Sequence, residues 1–152
     1  MQAHEIDHTI YGEEMQYVEI ELDPDEGVVA EAGSFMMMED GIKMETIFGD
    51  GSKQDSSVMG RIFGAGKRLL TGESLFMTAY YNEGNGQKKV SFASPYPGKI
   101  IAINLHNFGG KFICQKHAFL CAAKGVSIGI EFSKKLGRGL FGGEGFIMQK
   151  LE

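Results

Sequence analysis

The sequence predicts an all-β fold built from two tandem copies of one small unit, and three observations carry that reading. Phe35, Gly41 and Phe48 have the spacing of Phe119, Gly125 and Phe132, each pair 84 positions apart (119−35, 125−41, 132−48). Gly72-Glu73-Ser74-Leu75-Phe76-Met77 returns as Gly143-Glu144-Gly145-Phe146-Ile147-Met148, 71 positions on (143−72). Apolar and polar residues also alternate in short runs, and 22 glycines against 3 prolines imply many tight turns. The boundary falls at the turn Asn82-Glu83-Gly84-Asn85-Gly86-Gln87, giving a first repeat over 1–84 and a second over 85–152, packed together.

Taken in order, Tyr17–Leu22 alternates strictly, with Val18, Ile20 and Leu22 on one face and Glu19 and Glu21 on the other, the pattern of a half-buried strand. Asp23-Pro24-Asp25-Glu26-Gly27 supplies turn chemistry, and Val28-Val29-Ala30 predicts a second strand. Phe35-Met36-Met37-Met38 is expected to fill a core, since methionine at strand spacing is a common gap-filler; exposed, it would be an adaptable binding surface. After Glu39-Asp40-Gly41, Ile42–Phe48 reads as a strand. Residues 49–57 are the most polar loop, absent from the second copy. Apolar spacing over Val58–Leu70 predicts at most one short helix, weakened by Gly60, Gly64 and Gly66. Strands follow over Leu75–Tyr81 and Val90–Ala93. Ile100–Leu105 is predicted to be a strand as well, because Ile101, Ile103 and Leu105 match Val18, Ile20 and Leu22. The second copy then runs through Phe112–Cys114, Phe119–Cys121, a turn at Lys124-Gly125, a strand over Val126–Phe132 and a last strand launched by Gly143-Glu144.

A chain of 152 residues buries roughly 68–70% of its extended surface and folds without staples. A net charge of −5, from 20 acidic and 15 basic residues, argues against broad phosphate-backbone binding, so no nucleic-acid partner is expected. Residues 1–25 are acidic and resemble neither a secretory signal nor an organelle presequence, and no apolar run reaches about 18 residues. The expectation is a cytoplasmic protein with two reduced thiols.

Each motif with a chemical reading has a plainer one. Gly137-Arg138-Gly139-Leu140-Phe141-Gly142 carries the three glycines of a dinucleotide loop but lacks the following helix and the acidic residue about 20 positions on. Gly60 to Arg68 has five residues between Gly60 and Gly66 where a phosphate loop has four, and Arg68 where it needs a hydroxyl. Cys114, His117 and Cys121, with His106 upstream, are the weak candidates for a metal site. Their counterparts Ala30, Gly33 and Met37 show that the unit does not need one. Glu73 and Glu144, each after a glycine (Gly72, Gly143), are read as part of a repeated structural motif rather than as an acid–base pair. Lys67 and Arg68 beside Phe63, Leu69 and Leu70 offer a minor membrane-surface reading. No catalytic residue or cofactor is expected, and no small molecule is identified.

Gly27–Met36, Lys67–Phe76, Tyr96-Pro97-Gly98 and Gly139–Phe146 resemble, in order and spacing, the successive signatures of the altered inheritance of mitochondria protein 24 family, and the match runs along nearly the whole chain. The resemblance implies a bacterial member with a fold similar to the tryptophan RNA-binding attenuator protein: small β-sandwich or double-stranded β-helix units, assembled into a homo-oligomeric ring, trimeric in three-unit relatives. Ending after the second copy, the chain is expected to be a two-unit member or a truncated three-repeat protein. The expected function is that of a non-enzymatic oligomeric scaffold or interaction module, with a small-ligand or metal-binding protein as the alternative.

Overall fold

The computed structural model describes residues 3–48, 76–115, 117–133 and 146–152. Within them lie eleven strands: β1 (Asp7–Tyr11), β2 (Tyr17–Leu22), β3 (Gly27–Glu31), β4 (Phe35–Met38), β5 (Ile42–Phe48), β6 (Phe76–Asn82), β7 (Lys88–Ala93), β8 (Phe112–Gln115), β9 (Cys121–Ala123), β10 (Ile128–Ser133) and β11 (Phe146–Leu151). The fold is all-β, as the alternating pattern implies. The short helix expected over 58–70 lies outside the described residues, as do Gly72, Glu73, Gly143 and Glu144.

The strands form three sheets, ordered β1-β2-β7-β4, β5-β6-β3-β9 and β10-β11-β8. The β5-β6-β3-β9 sheet shares a core with each of the others. On one side Val28, Ala30, Ile42 and Tyr80 pack with Val18, Ile20, Leu22, Val90 and Phe92 of β2 and β7. On the other, Val29, Met77 and Ala79 pack with Phe119 and Ile128, joined by half-buried Cys114 and Leu151. This explains the composition of β3: Gly27 to Ala30 are all buried, so the strand is apolar on both faces instead of alternating. β2, with one face inward, does alternate.

The repeat is visible in the hydrogen-bonded registers. In the first unit β6 lies between β5 and β3, with Met44 and Val28 both opposite Tyr80. Shifting Met44 and Val28 by 84 and Tyr80 by 71 gives Ile128 and Phe112 opposite Leu151, which is how β11 lies between β10 and β8. Turn geometry follows: Gly41 and Gly125, 84 positions apart, both hold left-handed φ values, 95° and 103°, and Gly33 and His117 do likewise at 89° and 68°. The sheets also cross the 84/85 boundary, since β7 pairs with β2 and β4, and β9 with β3.

Two expectations are corrected. Ile100–Leu105 is not a strand: residues 100–104 are irregular and Leu105–Phe108 forms a 3-10 turn (η1), started by the Asn104 side chain accepting from the His106 N–H at 3.0 Å. Its counterpart β2 is strand because β1 and β7 flank it on both edges, whereas no strand is aligned with 100–105 among the described residues. The Phe35–Met38 run does not fill a core either. It is β4, an edge strand whose four residues are all exposed.

Candidate functional site

The Cys114, His117 and Cys121 spacing does not become a ligand set. Cys121 sits on β9 opposite Ala30 and packs on the β2/β3/β7 side of the core, whereas Cys114 sits on β8 and packs on the other side. Burial pushes the Cys121 thiol up to about 12 and, with the nearby Glu31 carboxylate second, raises that of Cys114 as well. Neither is poised as a nucleophile, which needs thiolate at neutral pH. His117 is in the β8–β9 turn with Nδ1 3.1 Å from Glu31 Oε1 on β3, so it joins the two repeats. His106 lies on η1. Among the described residues, no group of three or more His, Cys, Asp or Glu side chains is placed to hold a metal ion.

The surface features that stand out are apolar and lie on strand edges. β4 ends the β1-β2-β7-β4 sheet and exposes Met36 at 50% and Met38 at 39%, while Phe35 is anchored by stacking on Tyr80 at a centroid distance of 5.5 Å. β4 bonds β7 on one edge, where the Glu39 N–H donates to the Lys89 carbonyl at 3.0 Å and the Lys89 N–H to the Glu39 carboxylate at 2.8 Å. Its other edge carries no strand among the described residues. β8 is likewise terminal in its sheet, paired only with β11 among the described residues, and exposes Ile113 at 42%. Close to it in sequence, Ile101 is 75% exposed where its counterpart Val18 is buried. Native sheets normally blunt such edges with charge, proline or a covering segment, and a long apolar edge left bare is a template for another strand.

The sequence marked β4 as a possible surface but preferred the core. For Ile113 and Ile101 the local pattern gives strand positions and nothing more. A signal was present: Met36-Met37-Met38 is apolar at both parities, which on a strand with one buried face must leave an apolar side chain outside.

Fold and edges together define a repeat-built all-β protein of stacked antiparallel sheets. The chain belongs to the family described as mitochondrial biogenesis AIM24, whose match covers residues 8–152. An uncharacterised protein of Streptococcus pyogenes serotype M6 is 30% identical over 140 residues, covering 88% of this chain and 52% of that protein. A crystal structure of a Streptococcus pyogenes protein superposes with a TM-score of 0.65 at 23% identity, over 97% of this chain and 61% of that one. The likeness is one of fold, and the chain spans about half the length of the curated relative. Among the described residues, no helix is long and apolar enough to cross a membrane.

Proposed function

We propose that the protein is a non-enzymatic oligomeric scaffold or interaction module, its β-units closing with those of other copies into a ring of the tryptophan RNA-binding attenuator protein type. The observation that carries this reading is the exposed apolar edge strand β4, whose outer edge carries no strand among the described residues. Ring closure removes strand edges, and so gives oligomerisation a physical reason. The acidic balance of the chain supports a protein partner over nucleic acid. A cytoplasmic location suits its two free thiols.

Light scattering coupled to size exclusion, or native mass spectrometry, tests the reading at micromolar protein. The expected result is a discrete assembly of several copies. A mass equal to one chain across that range overturns it.

A further inference from the structure

We infer that the open edge of β8 in one copy pairs antiparallel with the open edge of β4 in a second copy, head to tail, in the register that β3 and β9 use inside the chain. The inference rests on the oligomeric reading above and names its surface.

The chain contains the template. β3 receives β6 on one edge and, on the other, β9, which belongs to the following unit. That junction is bonded at both ends, by the Glu31 N–H to the Leu120 carbonyl at 3.0 Å and the Lys124 N–H to the Gly27 carbonyl at 2.9 Å. It places Val28, Val29 and Ala30 opposite Ala123, Ala122 and Cys121. β8 is the second unit's version of β3, shown by its identical register on β11, and β4 is the first unit's version of β9. Moving each strand by the repeat of 84 turns the internal register into an intermolecular one. Phe112, Ile113 and Cys114 of one copy then face Glu39, Met38 and Met37 of the next.

The edges are the right ones. Backbone groups alternate between the two sides of a strand, and the Glu39 N–H is committed to β7, so Met38 presents its N–H and carbonyl to the open side. On β9 the groups that face β3 are those of Leu120 and Lys124, of the same parity as Met38 after the shift of 84. The side chains fit too. Val29 is buried inside the chain against Ala122, whereas its counterpart Ile113 is exposed, as is Met38, whose flexible thioether can fill the space beside it. The contact joins two different patches, the heterologous kind that propagates until rotation closes a ring.

The test replaces both native cysteines (Cys114→Ser, Cys121→Ala), mixes a chain carrying Ile113→Cys with one carrying Met38→Cys in that background, and adds a short bismaleimide. A two-chain product is expected in the mixture and in neither chain alone, nor when Met38→Cys is replaced by Met44→Cys on β5. In parallel, Ile113→Lys and Met38→Lys, each checked for native circular dichroism, are expected to weaken self-association by about tenfold or more. An assembly that persists in both lysine variants with no cross-link overturns the β8–β4 edge while leaving the scaffold reading intact. An unmodified chain that is monomeric overturns both.

Discussion

Gln149 is the residue most at odds with its surroundings. It is 1% exposed on β11, opposite Cys114, and neither amide atom has a hydrogen-bond partner. Its counterpart in the first unit, 71 positions earlier, is Thr78, a smaller group. Buried amides without partners are costly, so Gln149→Met is expected to stabilise the chain by about 1–2 kcal/mol, read as a raised thermal midpoint. A lowered midpoint would mean that the amide has a partner in the assembled protein. The cysteines give a second expectation. At pH 8 alkylation should reach Cys114 before Cys121, because burial dominates both thiols and moves Cys121 further, to about 12. The sign for stability follows from a folded value above the ordinary 9.0: below pH 9 both states keep the proton and the contribution is whole. It is lost as pH rises from 9 towards 12, where the unfolded chain ionises first. Urea titrations of the parent and of Cys121→Ala across that window should show the shallower slope in the variant.

Among the elements, the β6–β7 turn does more than reverse the chain. Asn82 is buried, and its Nδ2 donates to the carbonyls of Leu22 at 2.8 Å and Gly86 at 2.7 Å, while Oδ1 accepts from the Gly84 N–H at 2.9 Å. One side chain therefore closes the turn and ties it to the end of β2. Asn82→Ala removes three bonds and strands a buried carbonyl, so it is expected to cost about 2–4 kcal/mol by denaturant titration. A loss below about 0.5 kcal/mol would show that water replaces the side chain. The Asn-rich, Gly-rich turn is legible in the sequence, since Gly and Asn at those positions set the backbone. The tie to Leu22 is not, because the partner lies 60 residues away and no local pattern encodes it. Strands β2, β3, β5, β6, β7 and β11 were equally legible from alternation or turn boundaries. β1 is not legible, because Asp7–Tyr11 carries little apolar signal and is strand through pairing with β2. Ile100–Leu105 shows the reverse case, a strand pattern with no strand aligned to it.

For the whole molecule the interleaved sheets matter most. β7 is the middle partner of β2 and β4, and β9 closes the edge of β3, so a cut at the 84/85 boundary separates paired strands and divides the core. Segments 1–84 and 85–152 expressed separately are expected to lack native β circular dichroism and to regain it on mixing. Native spectra for either segment alone would show that its unit folds unaided. The sequence by itself determined the all-β class, the repeat with its offsets of 84 and 71, and the family signatures, because period-two alternation, turn glycines and recurrent landmarks are local properties of the chain. Tertiary structure alone decided that β3 is buried on both faces, that Cys114 and Cys121 part to opposite sides of the core, and that the methionine run is an outer edge. The reason is physical: burial and edge position depend on which strands arrive alongside, and partners brought together from distant parts of the chain leave no mark on a strand's own periodicity.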